Sequence, residues 1–232
     1  KCGLLFEAED VLHKLVDQDV VSWNALMAGY ASHGESEKIL SSFKCMQCEG
    51  VSPDLVSYVF KLKACSSIQA EVKDLEADVV KKGFKADPRI GSSLVDAYAK
   101  CKLLEEAQHI FDRLQVHDAV AWTALMAGYS ECGYGEKALD CLTQMQISDF
   151  HFNEVTLVSS LKICGSVGAL IKGKEIHADV VRKGLEEEHL IGNALIDLYS
   201  KFGLPTTAQK VFVKLRIHDL VSWNALMAAF SQ

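Results

Sequence analysis

Four side chains near the start of the chain have residue types and a spacing that could hold a metal ion. His33 and Glu35 are separated by one residue, and Cys45 and Cys48 follow as a C-x-x-C pair. Imidazole nitrogen and thiolate sulfur bind zinc, and a nearby glutamate can act as general acid and base on a zinc-bound water. The chemistry to test first is therefore metal-assisted hydrolysis, such as the deamination of a cytosine.

The wider pattern argues against that chemistry. No proline precedes Cys45, only nine residues lie between Glu35 and Cys45, and a later copy of the segment has Gln144 and Ile147 in place of the two cysteines. No second cysteine pair completes a set of four ligands, and the histidines form no H-E-x-x-H pattern. Phosphate-binding loops, dinucleotide fingerprints and nucleophile elbows do not occur. The sequence predicts no catalytic residue, no metal site and no cofactor.

Composition indicates a continuously folded chain. Hydrophobic residues make up 49% of the 232 residues, and no apolar run approaches the roughly 18 residues of a membrane span. The eight cysteines lie mostly among apolar positions, which predicts reduced thiols. The first residues show neither an initiator Met nor a signal pattern, so we expect the chain to begin inside a longer protein. The net charge of -7 argues mildly against a nucleic-acid partner.

Internal repetition is the most informative feature. Three near copies begin at Val20 (VVSWNALMAGY), Ala119 (AVAWTALMAGY) and Leu220 (LVSWNALMAAF), and their tryptophans are 99 and 101 residues apart. Each long period divides into three smaller units when the apolar pattern is aligned. The predicted units are 1–19 (the end of an earlier unit), 20–54, 55–87, 88–118, 119–153, 154–188, 189–219 and 220–232 (the start of another).

Within each unit the apolar spacing is helical twice over. Trp23, Leu26, Met27 and Tyr30 follow an i, i+3, i+4, i+7 pattern, Gly34 interrupts it, and a second apolar stripe follows. Each unit is therefore predicted to be a helical hairpin, which must stack on its neighbours to bury both stripes. We expect an all-α fold with one concave face, with the aromatic and methionine side chains in its core.

These motifs resemble a known family. SWNALMAGY, VDAYAKC, LIDLYSK and the alternation of 35-, 35- and 31-residue motifs are similar to the P, L and S motifs of plant pentatricopeptide-repeat proteins. Tetratricopeptide arrays keep a single period of about 34 residues, which this three-length cycle does not. The resemblance labels 20–54 and 119–153 as P, 55–87 and 154–188 as L, and 88–118 and 189–219 as S. It also labels 1–19 as a partial S motif and 220–232 as a partial P motif. It implies a right-handed α-solenoid of helix-turn-helix repeats.

The resemblance also implies a reader of single-stranded RNA in which two residues of each motif, position 5 and the last position, face one base. The polar pairs carried over onto this sequence are Asn24 with Asp54, Ser92 with Asp118, Thr123 with Asn153, and Asn193 with Asp219. The two L motifs carry Val59 with Asp87 and Val158 with Glu188. Because valine forms no hydrogen bond with a base, we expect these two motifs to tolerate any base.

Hydrogen-bond chemistry supports such a code. Uracil and guanine present a ring N–H on the Watson–Crick edge, whereas adenine and cytosine present a bare ring nitrogen, so aspartate suits the former pair and asparagine the latter. A short Ser or Thr at position 5 leaves room for a purine, and the longer Asn reaches a pyrimidine. With the family's parallel polarity, the predicted target is 5'-U-n-G-A-n-U-3', where n is any base.

Two further sets of residues follow from the resemblance. The second residue of each motif is expected to sandwich the base, and Arg89 can stack through its guanidinium. Lysines at position 13 of the S motifs lie on the first helix, where they contact phosphates or form a solvated helix end. The stacking residues are Val21, Val56, Arg89, Val120, Val155 and Leu190, with Val221 in the last partial motif, and the lysines are Lys1, Lys100 and Lys201.

The leading functional hypothesis is a non-catalytic RNA-recognition module of a mitochondrial or chloroplast RNA-processing factor. The P, L and S alternation favours C-to-U editing, with multiple organellar RNA editing factor proteins as further partners. Two alternatives stay open. The repeats can instead form a protein-interaction scaffold that binds editing cofactors through the L motifs, or serve only as a spacer.

Overall fold

The computed structural model describes residues 2–14, 18–65, 69–148 and 152–231, and these residues form α-helices, one short 3-10 turn and no strand. The prediction of an all-α fold is confirmed. The helices in the described part of the chain are α1 (Cys2–Lys14), α2 (Val20–Ser32), α3 (Ser36–Cys48), α4 (Leu55–Ala64), α5 (Gln69–Lys81), α6 (Pro88–Lys100), α7 (Leu104–Arg113), α8 (Ala119–Glu131), α9 (Gly135–Ile147), α10 (Glu154–Val167), α11 (Leu170–Arg182), α12 (His189–Lys201), α13 (Pro205–Lys214) and α14 (Leu220–Phe230).

The helices alternate between two roles. We call α2, α4, α6, α8, α10, α12 and α14 first helices, because each begins at the first residue of a predicted motif, and α3, α5, α7, α9, α11 and α13 second helices. The chain forms two compact units, Lys1–Ala121 and Trp122–Gln232. In the first unit α2 packs on α4 and α4 on α6, while α3, α5 and α7 pack on these first helices. In the second unit α10 packs on α12 and α12 on α14, with α11 and α13 beside them. Each unit therefore has a layer of stacked first helices, as in an α-solenoid.

Side chains cap the first helices at their N-termini. Asp19, Asp54 and Asp219 each accept a hydrogen bond from the backbone N–H of the serine three residues later. Asn153 accepts one from Thr156 in the same way. Such a cap satisfies an N–H that has no partner inside the helix, and a carboxylate also interacts favourably with the helix dipole. The last residue of these predicted motifs therefore starts the following helix.

The apolar stripes form the core of each unit. Trp23 is 2% exposed, Met27 and Tyr30 are fully buried, and Met126 in the later copy is also buried. The ring of Phe43 meets that of Tyr58 edge-on, with centroids 5.4 Å apart. The expected core is confirmed for these stripes.

The expectation was wrong for the same stripe on α14. On this helix Trp223, Met227 and Phe230 are each at least half exposed. Tyr134, in the turn before α9, is also more than half exposed. On α2 the equivalent side chains are covered by α3 and α4. Among the described residues no helix follows α14 to cover this face.

Close packing in the two S motifs depends on glycine. A Cβ atom added to Gly192 on α12 would lie 2.1 Å from Leu215 Cδ2, and one added to Gly91 on α6 would lie 2.2 Å from Leu114 Cδ2. Both distances are far below van der Waals contact. The leucine that ends each S hairpin therefore packs directly on the backbone of the first helix.

Candidate functional site

The twelve residues predicted to read bases lie at one end of the first helices. Six are on the second turn of a first helix: Asn24, Val59, Ser92, Thr123, Val158 and Asn193. The other six immediately precede the next first helix: Asp54, Asp87, Asp118, Asn153, Glu188 and Asp219. We number the resulting pairs slots 1 to 6 in chain order, so that slot 1 is Asn24 with Asp54 and slot 6 is Asn193 with Asp219.

Slot 1 is a hydrogen-bonded network that joins two repeats. Asn24 Nδ2 donates to Asp54 Oδ1 at 3.0 Å, and Asn24 Oδ1 accepts from the Ser57 hydroxyl at 2.7 Å. The backbone N–H and the hydroxyl of Ser57 also lie 3.0 Å from Asp54 Oδ1. The second hydrogen on Asn24 Nδ2 and the oxygen Asp54 Oδ2 take no part in these bonds. Slot 1 can therefore offer one donor and one acceptor side by side.

Slot 6 has the same residue pair with longer contacts. Asn193 Nδ2 lies 3.3 Å from Asp219 Oδ1 and 3.4 Å from Asp219 Oδ2. Asp219 Oδ1 also accepts from the Ser222 backbone N–H at 2.7 Å. Slots 1 and 6 therefore each bring the predicted pair into hydrogen-bond contact.

Slots 3 and 4 are arranged differently. Ser92 is buried, and its hydroxyl donates to the Pro88 carbonyl at 3.0 Å within the same helix. Asp118 Oδ1 accepts from the Ala121 backbone N–H at 2.9 Å, so Ser92 and Asp118 do not hydrogen-bond each other. In slot 4 Thr123 is half-buried and Asn153 is exposed, with its Oδ1 held by the Thr156 N–H at 2.9 Å. That bond uses the oxygen of the Asn153 side chain, so its amide nitrogen is the atom that can donate to a base.

The two L-motif slots differ from each other. In slot 2, Arg89 Nε donates to Asp87 Oδ1 and Arg89 Nη2 donates to Asp87 Oδ2, each at 3.1 Å. Both carboxylate oxygens therefore have a partner. Arg89 is therefore an ion-pair partner of Asp87 as well as a predicted stacking residue. In slot 5, Val158 is half-buried, while Glu188 is exposed and makes no capping bond.

The aliphatic residues at the second motif position are all exposed. Their exposed fractions run from 36% for Val56 to 67% for Val21, and the other members are Val120, Val155, Leu190 and Val221. Two of these side chains lie on either side of slot 1 along the chain, Val21 on α2 and Val56 on α4. Exposed aliphatic side chains that recur at one motif position provide apolar surface on which a planar ligand can pack.

The predicted phosphate-binding lysines already have acidic partners. Lys100 Nζ lies 2.7 Å from Asp96, and Lys201 Nζ lies 2.8 Å from Asp197, each four residues earlier on the same helix. Both lysine side chains are about half exposed, so these surface ion pairs are weak. Lys1 lies outside the described residues.

The capping hydrogen bonds keep the acidic residues of slots 1 and 6 ionised. Burial raises the pKa of Asp54, but hydrogen bonds from Ser57 and Asn24 outweigh it, and the pKa is lowered below the ordinary 3.8. The Ser222 backbone N–H is the main cause that lowers the pKa of Asp219. Both groups are therefore carboxylates at neutral pH and act only as acceptors.

Sequence reasoning missed the residue at the third motif position. Ser22, Ser57, Thr156 and Ser222 each follow a capping Asp or Asn by three residues, and Ser57 also contacts Asn24. The D/N-x-x-S/T spacing before an apolar run was the available signal, because it resembles a capping box. No feature of the sequence indicated that Ser57 also contacts a slot residue.

Neither metal chemistry nor membrane insertion gains structural support. Cys45 and Cys48 are exposed at the end of α3, and the described residues contain no group of three or more His, Cys, Asp or Glu side chains placed to hold a metal ion. Within the same ranges, each helix is too short or too polar to cross a bilayer.

Two family models match the chain. A model described as PPR repeat family matches residues 18–67, and one described as PPR repeat matches residues 92–118, 120–150 and 193–220. Together these matches cover more than half of the chain.

Similar full-length proteins come from Arabidopsis thaliana. The putative pentatricopeptide repeat-containing protein At3g15130 is 35% identical over all of this chain and 34% of its own length. At3g24000, named mitochondrial, is 35% identical over 37% of its length, and At4g18520, named chloroplastic, is 34% identical over 38%. The chain thus spans little more than a third of the length of these curated relatives.

Solved structures show the same fold. The pentatricopeptide repeat protein PPR10, crystallised in complex with an 18-nt psaJ RNA element, aligns with a TM-score of 0.74 and 21% identity. The alignment covers 99% of this chain and 36% of that one. PPR10 from maize in a second crystal structure aligns with a TM-score of 0.50 at 19% identity, over 99% of this chain and 39% of that chain.

Proposed function

Because this chain belongs to the pentatricopeptide-repeat family, we propose that its first helices bind single-stranded RNA, with one base in each repeat. The observation that supports this most is slot 1. There a donor and an ionised acceptor from Asn24 and Asp54 are held together on the surface, beside the exposed side chains of Val21 and Val56. A base between the two valines would stack on them while its edge meets the polar pair.

The proposed sequence follows slot by slot. Slots 1 and 6 select uracil, slot 3 guanine and slot 4 adenine, which gives 5'-U-n-G-A-n-U-3'. Tolerance in slot 2 is supported by the ion pair, because Arg89 occupies the carboxylate of Asp87 and Val59 forms no hydrogen bond. In slot 3 the Ser92 hydroxyl must turn away from the Pro88 carbonyl to reach a base. Lys100 and Lys201 contact phosphates by exchanging their acidic partners.

The biological setting proposed here rests on the relatives and on motif order. Two relatives carry the names of mitochondrion and chloroplast, and we assign this chain to one of those organelles. The P, L and S alternation favours a role in C-to-U editing together with multiple organellar RNA editing factor proteins. The repeats would then position the transcript for an editing activity carried elsewhere.

A gel shift tests RNA binding. Replacing Asn24 and Asn193 by alanine together is expected to weaken binding to an RNA carrying the proposed sequence by about fivefold to a hundredfold, because two hydrogen-bonding amides are lost at roughly 0.5–1.5 kcal/mol each. The two residues lie in different units and contact no common side chain, so their effects should add.

The matched control replaces Val59 and Val158 by alanine, which changes position 5 in the two tolerant slots. This variant is expected to bind the same RNA nearly as well as the unmodified chain. Equal binding of the asparagine variant and the unmodified chain would favour the protein-interaction scaffold instead, and equal binding to unrelated RNAs would contradict base selection.

Uracil selection in slot 1 is expected to be constant between about pH 5 and pH 8. The pKa of Asp54 is lowered, so its carboxylate stays ionised throughout that range. Protonation, with loss of the acceptor and of the stabilising hydrogen bonds, occurs only as the pH falls below the ordinary value of 3.8. Fluorescence anisotropy with RNAs carrying U or C at slot 1 measures the ratio, and a marked fall in the ratio between pH 8 and pH 5 would contradict the assignment.

A further inference from the structure

The same pair of residues is held differently in slots 1 and 6. In slot 1 both ends of the Asn24 amide are fixed, since Nδ2 donates to Asp54 and Oδ1 accepts from the Ser57 hydroxyl at 2.7 Å. Ser57 is completely buried and also belongs to the capping box of α4. The amide therefore has one orientation, with its oxygen turned toward the buried Ser57.

In slot 6 only one end of the amide is fixed. Ser222 is equally buried and sits at the same motif position as Ser57, but its hydroxyl donates to the Asp219 backbone carbonyl at 2.8 Å. Asn193 Oδ1 is buried and accepts no hydrogen bond from the described residues. An unpaired buried oxygen carries a desolvation cost, so this amide gains by moving to meet a donor.

We propose that Ser57 is a specificity-determining positioning residue, which makes slot 1 select uracil over cytosine more strictly than slot 6 does. This inference rests on the proposed RNA-binding function and refines it. It assigns a role to the third residue of the following motif, outside the pair that faces the base.

The reason lies in which groups each slot presents to a pyrimidine. Uracil offers carbonyl oxygens and a ring N–H, whereas cytosine offers an amino group and a bare ring nitrogen. Because its oxygen is held toward the buried Ser57 hydroxyl, Asn24 presents its second N–H beside the acceptor Asp54, which complements uracil. Asn193 Oδ1 is not held by a hydroxyl of the described residues, and the contacts of Asn193 Nδ2 are long, so this amide can turn its oxygen toward the cytosine amino group. Slot 6 therefore discriminates less strongly against cytosine.

Binding constants for four RNAs test the proposal, with U or C at slot 1 combined with U or C at slot 6. In the unmodified chain the U-over-C ratio is expected to be larger at slot 1 than at slot 6. Ser57→Ala is expected to lower the ratio at slot 1 by about threefold to tenfold, the effect of one hydrogen bond, and to leave the ratio at slot 6 unchanged. Ser57→Thr keeps a hydroxyl at this position and is expected to keep the slot 1 ratio of the unmodified chain.

Ser222→Ala is the matched control, because it removes an equally buried hydroxyl that donates to a backbone carbonyl and not to the asparagine of a slot. It is expected to change neither ratio. If Ser57→Ala weakened binding to U and C equally, Ser57 would be structural and the inference would be wrong. Equal ratios at slots 1 and 6 in the unmodified chain would also overturn it, without requiring any variant to fold. If the unmodified chain did not distinguish U from C at either slot, the proposed function itself would fail.

Discussion

Replacing Asp54 by asparagine is expected to change the preferred base of slot 1 from uracil to cytosine. Asparagine keeps the oxygen that accepts from Asn24 and from the Ser57 N–H, but it replaces the oxygen Asp54 Oδ2 with an NH2 group. That group can donate to the bare ring nitrogen of cytosine and opposes the ring N–H of uracil. Hydrogen bonds to charged groups contribute about 1.5–3 kcal/mol, so the U-over-C ratio should fall by about tenfold to a hundredfold.

Asp54→Asn is expected to change the base preference without destabilising α4. Asparagine caps helices about as well as aspartate, so α4 should keep its start and the thermal midpoint should change little. Asp219→Asn is the matched variant, and it should alter slot 6 while slot 1 keeps its preference. Anisotropy titrations with RNAs that differ only at these two slots measure both effects. A uniform loss of affinity for all RNAs would contradict the assignment of Asp54 to base recognition.

Replacing Trp23 by alanine is expected to lower the free energy of unfolding of the first unit by about 3–5 kcal/mol. The side chain is 2% exposed, so its removal loses buried apolar surface and leaves a cavity between α2 and its neighbours. Urea titrations followed by circular dichroism measure the change. Hydrogen exchange on amides of α2 and α4 would assign the loss to this unit.

The third copy of the same motif supplies the control. Trp223 is 50% exposed and meets Phe212 edge-on with ring centroids 4.7 Å apart. Its replacement by alanine should cost less than about 2 kcal/mol, from partial burial and one aromatic pair. Equal losses for the two variants would show that burial at the two positions does not differ as described.

Local sequence signals predicted most of the architecture. The i, i+3, i+4, i+7 stripes indicated the helical hairpins, and the first helices begin at the first residues of the predicted motifs. Such signals are readable because helix periodicity and N-capping depend on residues within about one turn. The same local pattern distinguished the buried Trp23 from the exposed Val21 two residues before it.

Local sequence patterns were enough to predict the repeat and the helices. Those patterns did not predict the side-chain contacts, in which Ser57 fixes Asn24, Ser222 leaves Asn193 held at one end, and Arg89 pairs with the Asp87 carboxylate. The acceptor to which a hydroxyl donates depends on differences of a few tenths of an ångström in donor–acceptor distance. Those distances are set by how separate helices pack. The same Asn–Asp pair therefore forms unequal sites in slots 1 and 6, because Ser57 donates to a side chain of another repeat and Ser222 donates to a backbone carbonyl three residues earlier.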